Sequence, residues 1–147
     1  MARPKTPTLG VKLTHPKAKM PYLATDGAAC FDVYAVSKEV KGNTCTFRTG
    51  LKFDIPDGYH LQVYSRSGHG FNDSMTLVNS VGIIDSDYTG ELLVKLVRQS
   101  GDAPWPYVGD RIAQVMLVAD QKFNMLEVAE IEETERGECG FGSTGLE

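Results

Sequence analysis

The sequence predicts an all-β domain built from short antiparallel strands. Two observations carry that prediction. Apolar residues alternate with polar ones over short stretches separated by turn residues, and no window of about twelve residues shows a helical stripe. A chain of 147 residues, 41% of them apolar, is long enough to bury a real core as one compact unit.

Phe31-Asp32-Val33-Tyr34-Ala35 is an apolar strand that contains one acid. Cys45, Phe47, Leu51, Phe53 and Ile55 alternate around a break at Gly50. Pro56-Asp57-Gly58 signals a turn, and Tyr59, Leu61 and Val63 resume the period of two beyond it. Ser67 to Ser74 has room for a turn or two of helix and no more. A strand then ends at Ile84, Val94–Val97 and Ile112–Val118 read as further strands, and Leu126 with Val128 suggests one near the end. Such a series argues for a sandwich or barrel, jelly-roll-like in arrangement. Residues 1–135 are read as one domain. Residues 136–147, rich in glycine with almost nothing to bury, are read as a mobile arm.

Composition excludes several function classes. No apolar run approaches the roughly 18 residues of a membrane span, and the N-terminus lacks the apolar stretch of a secretory signal, so the cytoplasm is the expected location. Cys30, Cys45 and Cys139 form no CxxC pair, and His15, His60 and His69 make no HxH or HExxH spacing. Any metal is therefore expected to be a hard cation held by oxygen. A formal charge of −4 argues against a general nucleic-acid binder. The basic stretch Arg3, Lys5, Lys12, Lys17 and Lys19 reads as a solvated tail. An acidic protein still binds a polyanion when a few arginines and a divalent cation are focused in one cleft.

Several segments carry candidate chemistry. Tyr64-Ser65-Arg66-Ser67-Gly68 follows a strand and offers a cation, two hydroxyls and open N–H groups, either as a phosphate site or as a capped turn without a ligand. Asn79-Ser80-Val81-Gly82-Ile83-Ile84-Asp85-Ser86-Asp87-Tyr88-Thr89-Gly90 takes a strand into two acids and an aromatic residue. A carboxylate placed there beside phosphates could take a proton from water. Ordinary turn chemistry gives the same pattern. Gln114 lies in an apolar strand and is either a satisfied core amide or a ligand-facing one. Asp32, buried in its strand, must find hydrogen bonds, a cation or a hydrated metal. The arm is a disordered tail, or it closes over a nucleotide.

Taken in order, these segments resemble the motifs of the trimeric dUTP pyrophosphatase family (dUTPases). The matching stretches are Ala29-Cys30-Phe31-Asp32-Val33-Tyr34, Ser65-Arg66-Ser67-Gly68, Gly82-Ile83-Ile84-Asp85-Ser86-Asp87-Tyr88-Thr89-Gly90, Gly109-Asp110-Arg111-Ile112-Ala113-Gln114 and Arg136-Gly137-Glu138-Cys139-Gly140-Phe141-Gly142-Ser143-Thr144-Gly145. The resemblance implies a magnesium-dependent dUTP diphosphatase that forms dUMP and pyrophosphate, keeping uracil out of DNA and supplying dUMP for dTTP synthesis. It implies a homotrimer with shared active sites, an arm that closes over a site, and neither nucleic-acid nor membrane partners.

Carried over by position, Asp85 is the catalytic base acting on the attacking water. Asp32 holds magnesium through its water shell. Arg66, Ser67, Gly68 and Gln114 serve the phosphates, with Arg111 as a further cation. Tyr88 packs beneath the deoxyribose and leaves no room for a 2′-hydroxyl. Asn79, Gly82 and Ile84 read the uracil. Phe141 stacks on it beside Gly142, and Arg136, Ser143 and Thr144 grip the γ-phosphate.

Two departures stand out: Ser65 where many members have proline, and Cys139 in place of the first of two glycines before Phe141. The loop Ser100 to Tyr107, with Trp105 between two prolines, lies outside the motifs and reads as a packed anchor. The alternatives are a dCTP deaminase of the same fold and a non-catalytic nucleotide-binding regulatory protein.

Overall fold

A computed structural model of the chain describes residues 5–145. Arg3 of the basic stretch and the last two arm residues lie outside the described residues. The strands are β1 (Gly10–Leu13), β2 (Phe31–Tyr34), β3 (Ser37–Lys41), β4 (Thr44–Arg48), β5 (Leu51–Asp54), β6 (Tyr59–Tyr64), β7 (Met75–Leu77), β8 (Gly82–Ile84), β9 (Leu93–Arg98) and β10 (Arg111–Ala119). One short helix, α1 (Ser67–Asp73), lies between β6 and β7. Every strand pairing is antiparallel. The sheets are ordered β2-β10-β6-β8, β3-β4-β9-β7 and β1-β5. This is the jelly-roll class that the alternating pattern predicts.

The alternation works because successive strand side chains point to opposite faces. Cys45 and Phe47 of β4, Val94 and Leu96 of β9, and Leu61 and Val63 of β6 all turn inward and are buried. They form one cluster with Val33, Leu51, Met75, Ile112 and Val115. The break at Gly50 has a steric cause. Its φ is +65°, and a Cβ there would lie 2.8 Å from the Cβ of His15 and 2.9 Å from that of Ala18. Only glycine fits both the backbone and the space.

Trp105 joins the same core cluster. The Arg98 guanidinium lies 5.1 Å from its ring centroid and donates to the Ala103 carbonyl at 2.7 Å. The proline-flanked loop is thereby anchored to β9.

The strand suggested by Leu126 and Val128 does not form. The last strand ends at Ala119, and Phe123, Met125, Leu126, Val128 and Ile131 are all exposed. A strand needs a ladder partner, and β10 already has β2 on one side and β6 on the other. At the root of this departing segment, Asp120 accepts from His60 Nδ1 at 2.7 Å and donates its backbone N–H to the Gly58 carbonyl at 2.8 Å.

Candidate active site

Asp32 resolves its burial with two cations. Arg66 Nε donates to one carboxylate oxygen at 3.1 Å, and Arg111 Nη1 donates to the other at 3.0 Å. Arg66 also reaches the Arg111 carbonyl at 3.2 Å, and His69 Nε2 approaches that same carbonyl at 2.9 Å. His69 is a member of this cluster that sequence reading missed, since nothing in its spacing links it to Arg111.

A β-bulge builds the cluster. Arg111 pairs with Tyr34 and Gln114 with Asp32, and the register shifts between Arg111 and Ala113. In a regular strand, residues three apart face opposite ways. The extra residue instead puts Arg111 and Gln114 on the same face as Asp32, while Ile112 and Ala113 both stay fully buried. Gln114 therefore has two roles. Its amide donates to the Ser65 carbonyl at 2.9 Å, fixing the end of β6, and it lines an open cleft of about 390 Å³ with Ser65, Arg66, Ser67, Gly70 and Phe71. Arg66 is the N-cap of α1 and makes no side-chain cap bond, so the first N–H groups of the helix stay available. Gly68 has open space where a Cβ would stand.

Magnesium can be tested against this donor set. Both Asp32 oxygens already accept an arginine, and each keeps a second lone pair. Among the described residues no cluster of three or more metal-ligating side chains exists. Those remaining lone pairs could accept hydrogen bonds from the waters of a hydrated cation.

A second cluster lies around β8. A cleft of about 280 Å³ is lined by Asn79, Gly82, Ile84, Asp85 and Tyr88, together with Glu91 and Lys95. Gly82 is tightly placed: a Cβ there would stand 3.0 Å from Val63 Cβ and 3.5 Å from the Asn79 amide nitrogen. Asp85 is exposed, and its carbonyl accepts the Tyr88 N–H at 3.1 Å in a turn. The Tyr88 hydroxyl donates to the Glu91 carbonyl at 3.1 Å.

The Glu91 carboxylate accepts from Arg48 Nε at 3.1 Å, Arg48 Nη2 at 3.0 Å and the Gly50 N–H at 2.8 Å. Burial pushes its carboxyl up, but the Arg48 and Gly50 hydrogen bonds outweigh this and leave it below the ordinary glutamate value. Sequence reading missed Glu91 and Lys95; the partner of Glu91 is 43 positions away.

The third cluster is in the arm. Arg136, Ser143 and Thr144 line a common hollow with Thr134, Glu135 and Cys139, and Arg136 Nε donates to the Cys139 carbonyl at 2.8 Å. Phe141 is fully exposed, with Gly142 beside it at a φ of +86°. Cys139 lies outside the left-handed region that Gly137, Phe141, Gly142 and Gly145 occupy, so a side chain at that position carries no backbone strain.

The three clusters do not meet within one chain. Ile84 pairs with Leu61, so Asp85 continues toward the start of β6, whereas Ser65 and Arg66 follow its end. At about 3.3 Å per residue the separation along β6 is roughly 15 Å.

The family model for dUTPase matches residues 16–145. The chain belongs to the dUTPase family. It is 38% identical over 139 residues to the deoxyuridine 5′-triphosphate nucleotidohydrolase of Nautilia profundicola, covering 93% of this chain and 98% of that one. The protein of the same name from Fusobacterium nucleatum is 41% identical over 131 residues, covering 86% and 90%.

Among solved structures, a single-residue variant of the Staphylococcus bacteriophage 80alpha dUTPase with dUpNHpp superposes with a TM-score of 0.82. It is 26% identical and covers 96% of this chain and 100% of its own. A dUTPase variant from phage phi11 of S. aureus, described with a structural Mg(II) ion, shares the fold at a TM-score of 0.71 and 22% identity, covering 84% and 98%.

Proposed function

We propose that the chain hydrolyses dUTP to dUMP and pyrophosphate in a homotrimer whose sites are shared between subunits. The observation that carries the shared-site reading is that the phosphate, nucleoside and arm clusters are each assembled but lie apart in one chain. Copies packed around a common axis would bring one cluster of each kind together. Two apolar features support such packing. Phe123, Met125, Leu126, Val128 and Ile131 are exposed, and Leu9, Val11, Met20, Phe31 and Leu117 line an uncovered cleft of about 520 Å³. Burying both against neighbouring copies gains roughly 25 cal/mol per Å² of apolar surface.

In this site Asn79 and the backbone around Gly82 and Ile84 read the uracil edge, and the Tyr88 ring carries the deoxyribose. Arg66, Ser67, Gly68 and Gln114 hold the phosphate chain. Asp85 orients a water and takes its proton as the oxygen attacks the α-phosphorus. The bond from that phosphorus to the bridging oxygen breaks, and pyrophosphate leaves with the electron pair. Bound magnesium supplies charge neutralisation along the polyphosphate, and Asp32 would hold it through its water shell.

The arm, residues 136–147, closes the site, with Phe141 stacked on the base beside Gly142 and with Arg136, Ser143 and Thr144 on the γ-phosphate. Positioning and charge stabilisation account for most of phosphoryl-transfer catalysis, so one base and a closing arm suffice. The reaction would remove dUTP before it enters DNA and supply dUMP for dTTP synthesis. Cytoplasmic residence fits that role, and no helix among the described residues is long and apolar enough to cross a membrane.

A nucleotide panel of dUTP, UTP, dCTP and dTTP, scored for pyrophosphate with and without a chelator, tests the reading. Chelator-sensitive release from dUTP alone is expected. Ammonia from dCTP would overturn it in favour of a deaminase, and binding without turnover in favour of a regulatory binder. Light scattering should give three times the chain mass.

A further inference from the structure

The position of the Tyr88 ring is set by neighbours that no family motif assigns to substrate. Gly90 lies against the hydroxyl end of the ring. A Cβ built on it would stand 2.5 Å from Tyr88 Cζ and closer still to the hydroxyl oxygen, so the absence of a side chain at 90 fixes how low the ring sits. The hydroxyl is held by the Glu91 carbonyl at 3.1 Å.

Glu91 is fixed in turn. Its carboxylate takes bonds from Arg48 and from the Gly50 N–H, the first closing β4 and the second in the two-residue connection to β5. The adjacent Leu92 is stitched to the same corner, its N–H donating to the carbonyl of Leu51 at the start of β5 at 2.8 Å and its carbonyl accepting from Thr49 Oγ1 at 2.7 Å. The Tyr88 turn is thus tethered to the β4–β5 corner, whose residues 48–51 do not line the cleft.

We infer that Glu91, clamped by Arg48 and Gly50, is a positioning residue that sets the height of the Tyr88 ring and thereby discrimination between deoxyribose and ribose. This rests on the reading of Tyr88 as the sugar shelf. A 2′-hydroxyl is excluded only if the ring cannot retreat by about the depth of one oxygen, and displacements near 1 Å change rates by roughly a hundredfold. The Arg48 side chain is 54% exposed and that of Glu91 17% exposed. An ion pair with so exposed a partner adds little to global stability, so releasing it loosens the tether without unfolding the sheets.

The test measures kcat/KM for dUTP, UTP and dTTP in Glu91→Ala, Glu91→Gln, Gly90→Ala and Tyr88→Ala. Glu91→Ala should lower the dUTP/UTP ratio at least tenfold while the dUTP/dTTP ratio, which reports the base end, stays within a few-fold. Glu91→Gln keeps an acceptor for the Gly50 N–H and should fall between wild type and Glu91→Ala. Gly90→Ala pushes the ring into the sugar space and should raise KM for dUTP more than it lowers kcat.

If Tyr88→Ala collapses the dUTP/UTP ratio but the Glu91 and Gly90 variants leave it unchanged, the positioning role is overturned and the shelf stands. If Tyr88→Ala leaves the ratio intact, both are overturned. An equal loss on all three nucleotides would mark Glu91 as merely structural. Should Glu91→Ala not fold, Glu91→Gln and Gly90→Ala decide.

Discussion

Arg66 and Asp32 pair at 3.1 Å across β10, which lies between β2, the strand of Asp32, and β6, the strand that Arg66 follows. Arg111 occupies the other carboxylate oxygen, so two like charges sit side by side on one acid. Asp32→Asn keeps an acceptor but turns an amide N–H toward a guanidinium. We expect a folded protein less stable by about 1–3 kcal/mol, read as a lower Tm. Turnover should also need several-fold more magnesium for half-saturation. An unchanged magnesium titration would limit Asp32 to holding its arginines.

Asp85 is the carboxylate assigned to water activation. Asp85→Asn should reduce kcat by about 10²–10⁴-fold, the usual contribution of a positioned general base. Calorimetric affinity for dUpNHpp should stay within a few-fold of wild type. Near-normal turnover would dismiss this residue as the base.

Among the described residues, deleting residues 136–147 removes no core side chain, since Arg136 to Thr144 contribute nothing to the buried cluster. The melting temperature should hardly move, while kcat/KM for dUTP should fall roughly a hundredfold or more from lost positioning. If the arm covers a neighbour's site, refolding this truncation together with Asp85→Asn should restore part of the activity that each lacks alone.

How far the sequence could be read depends on whether neighbours in space were neighbours in pattern. Phe47 and Cys45 were legible as core because their alternation is local. The acid at Asp32 was legible as a site because an apolar strand rarely buries one without cause. Its arginine pair was not, because the bulge that aims Arg111 leaves no trace in the alternation. Edge strands β1 and β3 escaped notice because they bury little: Ser37–Lys41 is mostly exposed. Leu126 and Val128 misled because their spacing resembles a strand, while the segment beyond β10 joins no sheet and leaves both side chains exposed.

Acid should weaken the fold in a defined direction. Glu91 lies below the ordinary glutamate value despite its burial, and Asp120 lies below the ordinary aspartate value, mainly through its hydrogen bond from His60. Each carboxyl binds fewer protons folded than unfolded. The stability they add is complete above their unfolded pKa values and is lost as pH falls through the folded ones. Tm should therefore drop as pH falls below the ordinary carboxylate range, and Glu91→Gln should flatten part of that slope.

The doubled residue at Ile112–Ala113 makes the stretch from Arg111 to Gln114 intolerant of any change in length. Shortening it by one would rotate one end half a turn, burying a guanidinium or turning the amide into the apolar interior. The same deletion in the tip of the loop around Gly101 would alter only solvated backbone. Insertions and deletions among variants of this chain should accordingly collect in that loop and spare the four residues from Arg111 to Gln114.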